Sequence, residues 1–302
     1  MNLIKKIYAN YLKKNYITKK IIYSIFKSLN KLNKNRIVVK DCDEIIEKIL
    51  KEKYSLSRFG DGELRLICGK DISFQKYNKN LSDRLKEILI SQTNDKKILI
   101  AIPNVFDTLD IYVDKSKEYW TEQLFFYKDK WISLLNENAE YYDAFISRPY
   151  MIYRNKNNCK YKFKKIKEIW KEKKIVIIEG EKSKLGVGND LFKSCKSIER
   201  IICPSKDAFS KYNEIFEVAR KIPKDKIILI ALGPTASILA YDLSNIGLQA
   251  IDIGHIDIEY EWFLNNSIEK ESIKGKYTNE AELEFYGNLN DENYEKEIIS
   301  VI

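Results

Sequence analysis

The chain has 302 residues, 44% apolar and 32% charged, an ordinary globular composition that excludes a disordered chain and leaves room for one large α/β domain with an extension, or two small ones. The formal charge of +9 is unevenly placed: residues 1–40 hold eleven Lys or Arg and no acid, leaving 42 basic and 44 acidic residues elsewhere, a net of −2. That near-neutral body excludes a nucleic-acid-binding core, which needs its own basic face.

The basic arm comes first. Its apolar residues Leu3, Ile4, Ile7, Tyr8, Tyr11 and Leu12, then Ile21, Ile22, Ile25, Phe26 and Leu29, recur at spacings of three, four and seven. This predicts an amphipathic helix, broken near Asn15, with lysines such as Lys6, Lys13 and Lys20 on much of the other side. Two readings stand side by side: the helix packs on its own domain, or it lies on an anionic lipid surface. The start lacks an unbroken apolar run and a small-residue cleavage site, so no secretory signal is expected. No segment reaches the ~18 apolar residues of a membrane span. Five cysteines (Cys42, Cys68, Cys159, Cys195, Cys203) are widely spaced with no C-x-x-C pair, and one histidine cannot complete a Cys/His zinc set. The expectation is a cytoplasmic protein with reduced thiols, peripheral at the inner membrane face if the arm binds lipid.

From Asp41 the pattern changes. A helix is predicted over 43–53, a short strand over 54–57 and a helix over 63–68. Strand patterns follow at 98–102, 144–147, 175–178, 200–203, 227–232 and 248–253, with helical patterns near 81–91, 118–136, 161–171, 190–196, 207–221 and 235–246. Alternating apolar strands and helices predict a doubly wound, mainly parallel sheet. The domain is placed at 41–285, and residues 286–302 at a polar tail with a weak apolar patch over 298–302.

Three turns after strands are rich in glycine. In Arg58-Phe59-Gly60-Asp61-Gly62-Glu63 the glycines allow close approach to a ligand. Its D-x-E pair suits a hard divalent cation that keeps positions open for phosphate oxygens, the alternative being that Asp61 caps the next helix. The stretch from Glu179 through Gly180, Glu181, Lys184, Gly186, Gly188 and Asp190 to Phe192 resembles a phosphate cradle. It matches neither the P-loop nor the dinucleotide fingerprint, which counts against hydride transfer. In Leu232-Gly233-Pro234-Thr235-Ala236 the proline suits a first helical turn whose N–H groups favour an anion, though a structural turn reads equally well. Arg148, in Ser147-Arg148-Pro149, is either a phosphate partner or a surface arginine.

The stretch 248–262 concentrates ionisable groups just past a buried strand, where open α/β sheets bind ligands. It carries the single histidine, His255, then Asp257, Glu259 and Glu261. In extended form all four share one face; if a helix begins at Asp257, Asp257 and Glu261 still do. The structural alternative is a capped strand-to-helix junction with a solvated acidic face.

Taken in order, S-R-F-G-D-G-E, S-R-P, G-E-x-S-x-L-G-V-G-N-D-L-F, A-L-G-P-T-A and D-I-G-H-I-D-I-E-Y-E-W resemble the GT-D-type glycosyltransferase family. That family was first catalogued as a domain of unknown function and is found in bacterial clusters for adhesin and surface-polysaccharide glycosylation. The resemblance covers roughly residues 41–264 and 275–280, and not the arm. It implies a Rossmann-like enzyme that moves a sugar from a nucleotide donor, typically UDP-linked, to a glycan, lipid-linked glycan or glycoprotein, using Mn²⁺ or Mg²⁺. Asp61 and Glu63 match the family's D-x-E, and residues 254–262 its histidine-acidic segment. His255 would then be a third metal ligand or a donor to phosphate, and Asp257, Glu259 or Glu261 a general base if the reaction inverts. Ribose and diphosphate would lie against Arg58, Phe59, Gly60, Arg148, Gly180, Glu181, Lys184, Gly186, Gly188, Asp190, Gly233, Pro234 and Thr235. Lys184 stands where the family has arginine, which keeps the charge but not the bidentate fork. Two competing readings are a nucleotide-dependent phosphotransferase or hydrolase, which the missing P-loop disfavours, and a non-catalytic nucleotide-sugar-binding scaffold, which the retained acidic sets disfavour.

Overall fold

The computed structural model describes Ser24, residues 37–277 and residues 291–302. The expected amphipathic helix of the arm lies outside the described residues. The described chain forms nine strands: β1 (Val39–Lys40), β2 (Ser55–Arg58), β3 (Ile98–Ile102), β4 (Tyr141–Asp143), β5 (Lys174–Gly180), β6 (Ser197–Cys203), β7 (Lys226–Ala231), β8 (Ala250–Asp252) and β9 (Ile298–Val301). They make one sheet in the order β1-β4-β3-β2-β8-β7-β5-β6-β9, every pairing parallel. This is the doubly wound sheet that the alternation predicts. Its helices are α1 (Cys42–Glu52), α2 (Asp61–Ile67), α3 (Lys79–Ile90), α4 (Asp114–Ile132), α5 (Cys159–Lys167), α6 (Tyr212–Ala219), α7 (Pro234–Asn245), α8 (Ile256–Leu264) and α9 (Glu292–Glu297).

Central strands read as continuous apolar runs because both faces are covered. All five residues of β3 are buried, as are Ile175, Val176, Ile177 and Ile178 of β5. One face packs Ile45, Leu56, Trp170 and Trp262 into a single cluster; the other face carries Phe59, Leu85 and Trp120 in one cluster and Ile228, Leu239 and Leu243 in the next. Helix α7 lies close on β2 through small residues. Ser57 Oγ donates to the Ser237 carbonyl at 2.7 Å, and Ser237 Oγ returns a bond to the Arg58 carbonyl at 2.6 Å.

Three local expectations need correction. Residues 144–147 form a 3₁₀ turn rather than a strand: β4 has already ended at Asp143, whose carboxylate accepts from Phe145 N–H at 2.8 Å and bends the chain. Residues 190–196 form hydrogen-bonded turns rather than a helix. There Asn189 Oδ1 accepts from Leu191 N–H and Trp170 Nε1 donates to the Leu191 carbonyl, so helical partners are pre-empted. The segment expected as a polar tail enters the architecture: α9 leads into β9, which pairs along β6.

Candidate active site

Strands β2, β8, β7 and β5 are neighbours in that order, so the turns leaving their carboxyl ends meet. They line a cavity of about 1050 Å³, which is where an open α/β sheet offers its binding crevice.

The turn after β2 is more structural than the sequence suggests at one end and less so at the other. Arg58 borders the cavity, but its guanidinium is committed: Nη2 meets Asp252 Oδ1 at 2.6 Å, Nε the Asp252 carbonyl at 2.9 Å, and Nη1 Ser147 Oγ at 2.6 Å. The pair bolts β2 to β8 under the site. Phe59 also borders the cavity, yet it is fully buried in the core, and its N–H donates to the Ala101 carbonyl at 2.8 Å. Asp61 and Glu63 open α2 and both face the cavity. Glu63 Oε2 accepts from Gly60 N–H at 2.6 Å, the return half of a capping box. Burial pushes the Glu63 carboxyl up to about 7, with the Asp252 and Asp61 carboxylates adding to the rise. Tyr119 of α4 donates its hydroxyl to Asp61 Oδ2 in a short bond.

That crowding of acids is a test of whether a divalent cation fits. A cation at Asp61 and Glu63 would relieve the repulsion and the desolvation together, and two carboxylates are a usual protein contribution when diphosphate oxygens and water complete the shell. The donor chemistry fits such an open site. It is not a closed protein cage: among the described residues, no three His, Cys, Asp or Glu side chains stand as a metal-holding group. His255 lines the same cavity without completing a set with the two acids.

Beyond β8 the backbone turns at Gly254 with φ +43°, and a Cβ there would stand 1.9 Å from Arg58 Nη2. Only glycine fits. His255 is the residue before α8, so the helical alternative holds and the single extended face does not. On the helix, Glu259 turns away into the core: it is fully buried, and its Oε2 accepts the backbone N–H groups of Tyr150 and Met151 at 3.0 and 2.8 Å. Asp257 borders the cavity, but both its oxygens are engaged, Oδ1 by Gly186 N–H and Asn189 Nδ2 and Oδ2 by Lys276 Nζ at 2.8 Å. Glu261 Oε1 accepts from the same Asn189 and from Lys276 at 2.7 Å. Thus the acidic row of 257–261 is mostly internal scaffolding.

The loop after β5 also divides. Gly180 lines the cavity, as do Ser183 and Leu185. Glu181, Lys184, Gly186, Gly188 and Asp190 do not. Lys184 lies with its ammonium 5.9 Å from the Tyr294 ring centre, toward the carboxyl-terminal helix. Asp190 accepts from Tyr260 Oη at 2.6 Å and Lys167 Nζ at 2.8 Å, and the Lys167 bond holds its carboxyl below the usual range. Gly186 serves through its N–H to Asp257. Gly233 borders the cavity with φ +53°, and a Cβ there would meet Phe74 at 2.6 Å. Pro234 and Thr235 are buried in the first turn of α7 and do not line the cavity. Arg148, at the end of the 3₁₀ turn, does line it.

Sequence reasoning overlooked Tyr119, Asp252 and Lys276. Asp252 lies two residues before Gly254 and Lys276 directly follows Gly275, a signal that marks a turn without saying what the neighbour bonds. Tyr119 lies in an aromatic-rich helix whose sequence carries no mark of its contact with Asp61.

The comparisons with known proteins agree with this geometry. The sequence profile described as Glycosyltransferase GT-D fold matches residues 56–281. The chain is similar to Glycosyltransferase GlyD of Streptococcus pneumoniae serotype 4, at 36% identity over 88% of this chain and 33% of that protein. It is also similar to the Probable glycosyl transferase Gly of Streptococcus gordonii, at 38% identity over 88% of this chain and 39% of that protein. The chain therefore spans between a third and two-fifths of the length of these relatives. Among solved structures, a conserved domain of unknown function with a distinct glycosyltransferase fold superposes with a TM-score of 0.86 at 36% identity, covering 93% of this chain and 99% of that one. A glycosyltransferase from Streptococcus sanguinis gives 0.83 at 35% identity, covering 88% and 100%. With a profile match across residues 56–281 and a close superposition on a solved glycosyltransferase fold at 36% identity, the chain belongs to the GT-D-fold glycosyltransferase family.

Proposed function

We propose that the chain transfers a sugar from a nucleotide-sugar donor, UDP-linked, to a surface-glycan or glycoprotein acceptor, with Mn²⁺ or Mg²⁺ held at Asp61 and Glu63. The observation that carries this reading is the convergence of Asp61, Glu63, Arg148, Gly233 and His255 on one large cavity at the carboxyl ends of β2, β7 and β8. Such a cavity has the size and the mix of charge that a nucleotide diphosphate needs. Gly233 places the positive end of α7 at the cavity wall, and Arg148 adds a planar cation suited to phosphate. A bound cation would supply electrostatic stabilisation of charge on the departing diphosphate. Tyr119 holds the Asp61 carboxylate in place, and Gly60 N–H holds that of Glu63. Of Asp257, Glu259 and Glu261 only Asp257 borders the cavity, and with both its oxygens bonded to Gly186, Asn189 and Lys276 it is read as part of the wall, so none of the three is assigned as a base.

The test combines binding and turnover. Thermal shift with UDP and UDP-sugars should show stabilisation that requires Mn²⁺ or Mg²⁺ and is abolished by chelator. Asp61→Ala and Glu63→Ala should each lose about 100-fold or more in transfer while melting within a few degrees of the parent, of the order seen when one electrostatic stabiliser is removed. Full turnover of metal-stripped protein in chelator would refute the metal assignment. Stabilisation by nucleotide sugar without any transfer would favour a binding scaffold.

A further inference from the structure

The cavity has one wall with no helix or strand of its own. After α8 the chain runs from Asn265 to Tyr277 as a strap of turns and bends without helix or strand, and Ile268, Glu269, Lys270 and Tyr277 border the cavity. Irregular backbone of this length does not hold a shape through its own hydrogen bonds, so something must fix it. Near its start Tyr150 Oη donates to the Ser267 carbonyl at 3.1 Å, and at its middle Trp262 Nε1 donates to the Glu271 carbonyl at 2.9 Å. At its end, Tyr277 N–H reaches the Lys182 carbonyl at 2.9 Å.

Between these lies a deeper attachment. The Lys276 side chain is 1% exposed, and its ammonium sits 2.8 Å from Asp257 Oδ2 and 2.7 Å from Glu261 Oε1, one turn apart on α8. The remaining oxygen of Asp257 accepts Gly186 N–H at 2.9 Å, and Asn189 Nδ2 bridges Asp257 and Glu261 at 2.8 and 2.7 Å. One ammonium, two carboxylates and one amide thus join three segments: the strap, the loop over 183–189 and helix α8. Each of the three contributes to the cavity wall, through Tyr277, Leu185 and Asp257 respectively.

We propose that Lys276 is a positioning residue that assembles two walls of the donor cavity, the strap over 265–277 and the loop over 183–189, by pairing with Asp257 and Glu261. This rests on the donor reading of the cavity for its kinetic consequence, and on the network alone for its structural one. A lysine that touched the transferred sugar or the diphosphate would need an ammonium directed at the cavity. This one is spent on two carboxylates and is sealed from solvent. Losing it should therefore loosen the walls and raise donor KM more than it lowers kcat.

The experiment uses the full chain with three variants, K276M, K276R and the charge-neutral triple K276M/D257N/E261Q, which carries the test even where K276M is not recovered folded. Hydrogen exchange on the free protein is read at 183–189, at 265–277 and, as a control, at β5 and β7. In K276M both wall segments should exchange at least tenfold faster with the control strands unchanged. In the triple variant the strap should loosen while the loop keeps its Gly186 bond to residue 257. Donor KM should rise about tenfold or more in K276M, with kcat within about threefold, and K276R should recover most of the KM. Parent-like exchange of the strap in the triple variant would overturn the proposal. So would a K276M that loses kcat with exchange unaltered, since that would place the lysine in contact with the substrate. Exchange behaving as described in a protein that transfers no sugar would count against the donor reading alone.

Discussion

Asp143 illustrates how a single buried acid sets a local pH dependence. It is 3% exposed at the end of β4, and its carboxylate accepts the Phe145 N–H that starts the 3₁₀ turn. Burial pushes its carboxyl up to about 6. The folded value lies above the unfolded one of about 3.9, so the folded state binds the proton more tightly. Its stabilising contribution is complete below about pH 4 and lost as pH rises through about 6. Asp143→Asn keeps an acceptor for Phe145 and never ionises. It should be more stable than the parent at pH 8 by on the order of 1–2 kcal/mol, with the gap closing toward pH 4. Urea unfolding at the two pH values checks this. A constant difference would mean that Asp143 stays charged in the fold.

At the scale of elements, the instructive case is the join between the carboxyl-terminal pair α9 and β9 and the rest of the sheet. Arg200 of β6, 3% exposed, pairs with Glu179 Oε1 of β5 at 2.6 Å and with Glu297 Oε2 of α9 at 2.6 Å, and its guanidinium lies 4.6 Å from the Tyr294 ring centre. The other oxygen of Glu179 accepts Leu185 N–H at 2.8 Å, which ties the same network to the cavity loop. Removing one partner of a buried pair leaves the other charge uncompensated. Arg200→Met should therefore cost about 3–5 kcal/mol, since Glu179 is fully buried. Glu297→Gln keeps an acceptor at a partly exposed position and should cost about 1 kcal/mol. Equilibrium unfolding of the two variants decides; equal costs would show that the bond to Glu179 is not the expensive one. The glutamate was visible beside its glycine in the loop motif, but Arg200 lies 21 residues further on, in a stretch that reads only as strand.

For the whole molecule, charge is unevenly divided along the chain, and that division makes a testable prediction. Among the described residues no helix is long and apolar enough to cross a membrane. Residues 1–40 carry +11 against −2 for the rest, and basic residues near an anionic surface contribute about 1 kcal/mol each. The full chain should sediment with anionic but not neutral liposomes, lose that binding as salt rises, and stay in solution when the chain starts at Val38. Retention in the supernatant with anionic liposomes at low salt would show that the arm is not a membrane anchor.

The sequence by itself determined the parallel α/β architecture, because strands such as Ile98–Ile102 and helices such as Pro234–Asn245 are encoded by local apolar period and by a proline and glycines at their ends. It also marked the turns at Gly60, Gly233 and Gly254, all of which border the cavity in the fold. Only tertiary structure decided which charged side chains are turned to a ligand and which to each other. Arg58 and Asp252 are 194 residues apart, Glu259 meets the backbone at 150–151, and Lys276 meets Asp257 and Glu261 across a strap. A carboxylate's partner depends on what the fold brings within about 3 Å, a distance over which hydrogen bonds act and which local sequence pattern does not encode. The same physics drew residues 298–301 into the sheet, because an apolar patch too short to form a strand alone is stabilised once β6 offers an open edge.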